Sequence, residues 1–358
     1  MLDVKQELNE LLGSAAQKNA SDLHFSVGRY PTLRIDGRLI SLTKYKILTQ
    51  KDTEAFAFEL ISDKQKERLF KNKEIDFSYD FKDKIRFRIN IFYQRGYLSI
   101  ALRLIPPKIR TIKELNLPFV LNNFTKHSQG FVLITGPSGH GKSTTLAALI
   151  DLINHTMSKH IITIEDPIEY IFSQDKCIID QREVYQDALS FHRALRSTFR
   201  EDPDVIMVGE MRDLETISTA ITAAETGHLV FATLHTNNAS QTIDRIIDSF
   251  PANQQNQIRS QLAGSLLGIV SQRLIPRLEG GRIPAVEVMI ANSAVKNIIR
   301  ENKIHQLDLV IETSSEKGMI SFNKSLVELI QRREISVESA EVYSLNPSDL
   351  RMLFQREV

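Results

Sequence analysis

The sequence predicts an α/β fold with a mostly parallel sheet and flanking helices, preceded by a small α+β domain. Three observations carry that expectation. From about residue 114 onward, apolar strand-like runs alternate with helix-favouring segments, the rhythm of a parallel sheet wrapped by helices. Before that point, short strand-like pieces are punctuated by turn residues. Finally, the stretch GPSGHGKSTT, Gly136 to Thr145, joins an apolar run to a helix-favouring segment through a glycine-rich loop.

Taken in order, residues 1 to about 16 read as an amphipathic helix with Val4, Leu8, Leu11 and Leu12 on one side. Strand-like DLHFSV and TLRIDGRLI follow, and Asp36-Gly37 is a good hairpin turn. Thr49 to Phe70 reads as helices, then IDFSYDF and IRFRINIFYQRGYLSIALRLI return to strand. These make a domain of residues 1–105, and Pro106-Pro107 opens a linker at 106–113. In the second domain, 114–358, buried strands are expected at 131–135, 160–165, 204–209, 228–234 and 284–290. Helices are expected at 142–154, 190–200, 213–226, 239–249 and 254–274, with breaks at Pro251 and Pro276. The part from about 293 to 358 reads as helical, through 294–301, 304–313, 322–332 and 337–343. Its tail, 344–358, is either a docking segment or a terminal helix.

Composition narrows the classes. A chain of 358 residues suggests two or three domains, and 42% hydrophobic with 25% charged residues is ordinary for a soluble protein. No apolar stretch approaches a membrane span, and MLDVKQELNE is not a signal peptide, so a cytoplasmic protein is the simplest reading. Cys177 is the single cysteine, which excludes an intrachain disulfide and a cysteine-based zinc cluster. Charge is uneven: residues 1–110 hold 21 Lys and Arg against 14 Asp and Glu, while the rest holds 24 against 30. Either the surface is merely asymmetric, or a basic N-terminal domain faces phosphates held by an acidic one.

The loop matches G-x-x-x-x-G-K-[ST], with Gly136, Gly141, Lys142 and Ser143 at the fixed positions. Pro137, Ser138, Gly139 and His140 fill the loop and Thr144 follows it. Glycines let backbone amides wrap phosphates, and the following helix N-terminus adds positive potential. Lys142 would add a point charge near the β- and γ-phosphates, and Ser143 a hydroxyl for Mg²⁺. ATP is favoured over GTP because no N-K-x-D element follows; NKSL at 323–326 lacks the aspartate.

Three further stretches fall where strand ends would gather residues. In IITIEDPIEY, Glu165 and Asp166 end a β-branched run; they hold metal-bound water, orient the attacking water, or are plain solvated acids. In DVIMVGEMRD, Gly209 stands where many such enzymes place an aspartate, so Glu210 is the strand-tip acid. It polarises the attacking water and meets the metal through water, unless it is only an acid favoured by a helix N-terminus. In GHLVFATLHTNNA, His228 and His235 bracket a strand; His235 can sense the γ-phosphate, whereas His228 at the strand start can be structural. Arg86, Arg88, Arg95 and Arg103 lie in one hairpin-like stretch, with Arg86 and Arg88 on one strand face. An isolated monomer would gain little from such a row. Its use is an arginine finger, or else a solvated face with stems packed on aromatics.

Together these residues resemble the secretion ATPases, most closely the type IV pilus retraction (twitching motility) ATPases of the PilT type. The likeness runs from about Ala20 to about Leu307 and rests on RFRINIFYQRG, GPSGHGKSTTLA, IITIEDPIEY, TIDRIIDSFP and AVKNIIRENKIHQL. A further stretch is ALRSTFREDPDVIMVGEMRDLETISTAITAAETGHLVFATLHT. The resemblance implies a homohexameric motor with a PAS-like N-terminal domain and a RecA-like core binding ATP and Mg²⁺ between them. It implies Lys142 and Ser143 as the Walker A pair, Glu165, Asp166 and Glu169 in the Asp box, and Glu210 as the Walker B glutamate. His228 and His235 fall in the His box, and Arg88 and Arg103, with Arg86 a weaker match, correspond to arginines that reach the γ-phosphate. Ser138 and His140 replace the usual Thr and Ser, and Val295 and Lys296 alter the AIR of a retraction motif to AVK. Partners would be an inner-membrane pilus platform protein and the pilus machinery, at the inner face of the cytoplasmic membrane, with no direct nucleic-acid contact. Pilus-extension and type II secretion ATPases are the alternative, though they usually carry a four-cysteine zinc element. A RecA-type nucleic-acid translocase would need a basic pore or tail, which the acidic second domain does not supply.

Overall fold

The structure is a computed structural model that describes residues 3–35, 37–82, 85–105 and 108–357. Asp36 of the expected hairpin turn and Pro106-Pro107 of the expected linker lie outside the described residues. The chain divides into two compact units. One is Met1–Lys108 with Asp166–Ile171, and the other is Ile109–Glu165 with Phe172–Val358.

In the first unit, β1 (Asp22–Phe25), β2 (Thr32–Ile35), β3 (Arg38–Ser41), β4 (Glu74–Phe81), β5 (Ile85–Gln94) and β6 (Tyr97–Ile105) pair antiparallel. Their order is β3-β2-β1-β6-β5-β4. Alternation sorts β5 cleanly: Phe87, Ile89 and Ile91 are buried, while Arg86, Arg88 and Asn90 occupy the other face. The buried face packs with Leu8, Leu11 and Leu12 of the helix Val4–Gln17 and with Phe56, Ala57 and Leu60 of Gln50–Leu60. Val4, expected on the apolar side, is instead exposed in the first turn of its helix. Thr49 and Asp52 form a capping box that starts the second helix, the Thr49 N–H donating to Asp52 at 2.8 Å. Ile35 faces Arg38 across the β2–β3 turn, and Arg95-Gly96, both at positive φ, close the β5–β6 turn.

The second unit is α/β. Its strands are β7 (Gly130–Thr135), β8 (His160–Glu165), β9 (Ile178–Glu183), β10 (Val205–Val208), β11 (Leu229–Leu234), β12 (Leu266–Pro276) and β13 (Arg282–Ile290). They run in the order β13-β12-β7-β11-β10-β8-β9, and every pair is parallel except β12–β13. β7, β10 and β11 are buried along their whole length, as strands covered by helices on both faces must be. The helices Lys142–Thr156, Phe191–Thr198, Leu214–Glu225, Ala239–Asp248 and Ala252–Ser265 follow the expected rhythm. Ser190, Asp213 and Asn238 cap three of them by accepting a backbone N–H of the first turn.

Two elements depart from expectation. The helix expected over 254–274 ends at Ser265, and the chain passes directly into β12. Leu266–Pro276 is claimed by hydrogen bonding to β7 and β13 on both sides, which outweighs helical spacing. β9, unread in the sequence, extends the sheet beside β8. The tail forms the helix Pro347–Glu357. Among the described residues, no helix is long and apolar enough to cross a membrane.

Candidate nucleotide-binding site

Within the second unit, the carboxyl ends of β7, β11, β10 and β8 lie side by side, and each delivers one part of the site. Thr135 of β7 pairs with Leu234 of β11, so Gly136 and His235 leave the sheet at the same level. Val208 of β10 pairs with Ile164 of β8, so Glu210 and Glu165 emerge from neighbouring strands.

The loop's shape depends on glycine at two positions. A Cβ on Gly136, at φ +142°, would sit 2.2 Å from the Gln272 carbonyl oxygen. One on Gly141, at φ +82°, would sit 2.9 Å from the Gln272 side-chain nitrogen. Gln272 braces the loop from β12: its Nε2 donates to the His140 carbonyl at 2.8 Å and its Oε1 accepts from Thr145 Oγ1 at 2.7 Å. The His140 ring is anchored to the same strand, its Nδ1 accepting from the Leu274 N–H at 2.9 Å. Burial, then the charges of Arg282, Arg273 and Lys142, holds the His140 pKa below its ordinary value, which suits an accepting ring. Arg282 reaches the Gly139 carbonyl at 3.3 Å.

Lys142 is 8% exposed, and its ammonium donates to the carbonyls of Gly136 at 2.8 Å and Pro137 at 3.0 Å. Ser143 is exposed and Thr144 half-buried in the first turn of the helix. His235 is where the parts meet: its Nδ1 lies 3.4 Å from Ser138 Oγ and 3.5 Å from Lys142 Nζ. Its Nε2 lies 3.4 Å from the Glu210 carboxylate, which also pairs with Arg212 at 2.7 Å. Glycine at 209 has a steric reason, since a Cβ there would meet the Ile164 carbonyl at 3.1 Å and Glu165 Cα at 3.4 Å. Glu165 is buried and accepts from Thr163 Oγ1 at 2.7 Å and Gln181 Nε2 at 3.2 Å.

Within this unit His228 stands apart from this group. It stands at the opposite end of β11, where its carbonyl accepts from Gly130 N–H at 3.0 Å, before β7 has begun its run to the loop. Its ring lies 3.0 Å from the Ala223 carbonyl at the end of the helix Leu214–Glu225 and meets Phe199 edge-on, a helix-end brace. Among the described residues, no cluster of three or more His, Cys, Asp or Glu could hold a metal ion. Hard oxygen donors are present in Ser143 and Glu210, a set that suits Mg²⁺ completed by phosphate oxygens and water.

The first unit carries the arginines, and it includes Asp166 and Glu169. Arg86 donates to Asp80 at 2.6 Å, Ser78 at 2.5 Å and the Ile168 carbonyl at 3.1 Å. Arg88 grips Asp76 with two nitrogens, the shorter at 2.7 Å, and Glu169 at 3.3 Å. Burial alone would lower the Arg88 pKa, yet the carboxylates of Asp76, Glu169 and Asp166 outweigh it and raise it. Arg103, opposite Arg88 across β5–β6, pairs with Asp22 at 3.1 Å and is 64% exposed. A single chain therefore has a use for this row, contrary to expectation: Asp22, Asp76, Asp80 and Glu169 neutralise it in place. Arg95 sits in the turn, off the strand face. Gln272, Arg282, Arg212 and Gln181 are not legible in the sequence; Gln272 is hidden by the helix expected over its segment.

Known proteins match this arrangement. The family model of type II/IV secretion system proteins matches residues 3–281. The type IV pilus retractation ATPase PilT of Pseudomonas aeruginosa is 46% identical over 336 residues, covering 93% of this chain and 97% of that protein. The twitching motility protein of Neisseria gonorrhoeae is 43% identical over 323 residues, covering 89% and 86%. A crystal structure of the pilus retraction motor PilT with bound ADP superimposes with a TM-score of 0.88 at 47% identity, covering 96% of this chain and 98% of that one. The second unit is accordingly a RecA-like core, and the chain belongs to the type II/IV secretion system protein family.

Proposed function

We propose that the chain is an ATP-hydrolysing motor of type IV pilus retraction. It works as a homohexamer at the cytoplasmic face of the inner membrane, acting on the pilus machinery through a platform protein. The observation that carries the reading is the convergence of Lys142, Ser138, Glu210 and His235 on one glycine loop, at distances of 3.5 Å or less to His235. Similarity to two proteins named for pilus retraction and twitching supports the choice of process. The N-terminal unit is the PAS-like domain of such a motor.

The loop amides and Lys142 take the β- and γ-phosphates. Ser143 would hold a magnesium ion directly and Glu210 through water, and that ion when bound neutralises phosphate charge. Glu210 orients the attacking water. His235, with one ring nitrogen toward Lys142 and the other toward Glu210, registers whether a γ-phosphate is present. Glu165, held by Thr163 and Gln181, is a fixed negative wall beside the water. Arg88, Arg103 and Arg86 neutralise the departing phosphoryl by exchanging their carboxylate partners for phosphate oxygens.

Two measurements test this. Purified full-length chain should turn over ATP with release of phosphate, and GTP more slowly. Deletion in the source bacterium should leave excess surface pili without twitching; a bald cell would overturn retraction in favour of pilus assembly.

A further inference from the structure

One row of side chains crosses three strands beside the loop. Ser271 of β12 pairs with Thr135 of β7 on one side and Glu287 of β13 on the other. Thr135 Oγ1 donates to Ser271 Oγ at 3.1 Å, and Ser271 Oγ donates to Glu287 Oε1 at 3.2 Å. The same carboxylate oxygen accepts the Ala239 N–H at 2.7 Å. Thr135 is the last residue before the glycine loop, and Ala239 opens the helix that follows His235. All four groups are buried, so no water competes for these bonds.

We propose that Glu287 is a positioning residue for hydrolysis: it fixes the loop carrying His235 against the strand that feeds the phosphate loop, most firmly as the carboxylate. The inference rests on the ATPase reading above. As a carboxylate, Glu287 accepts the Ser271 hydroxyl and the Ala239 N–H on one oxygen, so the Thr135 and Ser271 hydroxyls point along one direction toward it. Its bond to Ala239 is charge-assisted and lies at a helix N-terminus, where negative charge is favoured. Protonated, it carries the hydrogen on the other oxygen, and Oε1 becomes a neutral carbonyl acceptor, which weakens its hold on both Ser271 and Ala239. The two states are both reachable. Burial raises the Glu287 pKa, the Ala239 N–H lowers it, nearby Asp308 raises it and Ser271 lowers it, leaving it at about 7. Asp308 is itself held by Ser240 Oγ at 2.8 Å, in the first turn of the same helix. Burying a charge there does nothing for the fold that a neutral side chain of equal shape could not do. The carboxylate's effect falls on the geometry of the two loops.

Hydrogen exchange of the segment 234–240 in the full-length chain reads this directly. After correction for intrinsic exchange, wild-type protection should rise about tenfold between about pH 6 and about pH 8, the worth of one charge-assisted bond. In Glu287→Gln, which keeps the shape and the acceptor, protection should stay flat. At about pH 8 that variant should lose about tenfold in kcat with KM within about twofold, and match wild type near pH 6. Ser271→Ala should lose kcat in the same direction while leaving the exchange step intact. Exchange and kcat profiles of Glu287→Gln that track wild type at every pH would overturn the proposal, and a wild-type rate in Ser271→Ala would overturn the link to the phosphate loop. Wild-type chain without ATP turnover would sink the ATPase reading instead, and the exchange profile would still decide whether Glu287 holds the His235 loop.

Discussion

The two units place their cationic groups in opposite ways. In the RecA-like unit the phosphate side is built from backbone: glycines at positive φ, braced by Gln272 and His140, with Lys142 tied to the loop's own carbonyls. In the N-terminal unit the cationic groups are arginine side chains already held by Asp22, Asp76, Asp80 and Glu169. To reach a phosphate, Lys142 gives up neutral carbonyls, whereas a paired arginine must give up one carboxylate to gain another anion. On the proposed function, the contrast assigns affinity to the rigid unit and timing to the exchangeable one.

That division can be broken by substitution, beginning with the largest effect. Lys142→Ala should bring nucleotide binding below detection in equilibrium titration; retained binding would show that the loop amides suffice. Glu210→Gln should bind ATP normally yet lose about a thousandfold in phosphate release, the scale of a lost general base. Near-normal turnover would move that role to another acid. Arg88→Ala should slow kcat roughly a hundredfold while ATP affinity and oligomeric size stay unchanged, less than a free arginine finger supplies because Asp76 already neutralises part of the charge. Loss of assembly in gel filtration would make Arg88 structural and erase the contrast. The last effect is on stability rather than activity, and it sits on the rigid side. Glu287 has a folded pKa of about 7 against an ordinary 4.5, so the stability it contributes is whole below about 4.5 and lost as pH rises through 7. Glu287→Gln should therefore melt higher than wild type at about pH 8, by roughly 3 kcal/mol, with the gap closing toward pH 5.

What can be read in the sequence is whatever is local. The glycine loop, the continuous apolar strands and the alternation of β5 are set by neighbours in the chain, and each stands where its pattern places it. The pattern misleads at β12 because Ile258, Leu262, Leu266 and Ile269 keep helical spacing past the true helix end at Ser265. Distant partners decide there: β7 and β13 pair with the segment, and Phe124 packs so closely that a Cβ on Gly268 would lie 2.5 Å from its ring. Gln272 is lost from view with that segment. The acid partners of the arginines are equally hidden, since Asp80 meets Arg86 only through the β4–β5 register and Glu169 meets Arg88 across 81 positions of sequence. His228 brackets β11 together with His235, and its place just before the start of that strand puts it at the far end from the loop.

The excursion Asp166–Ile171 means that the backbone passes between the units three times, not once. Severing the chain near residue 108 would not yield a clean catalytic half. It would leave the hexapeptide DPIEYI stranded, with the Ile168 carbonyl and the Glu169 carboxylate stripped of Arg86 and Arg88. The first residue on the catalytic side of that tether is Glu165, buried at the tip of a sheet strand. The peptide that joins the two units at this point thus ends on a carboxylate one strand away from Glu210.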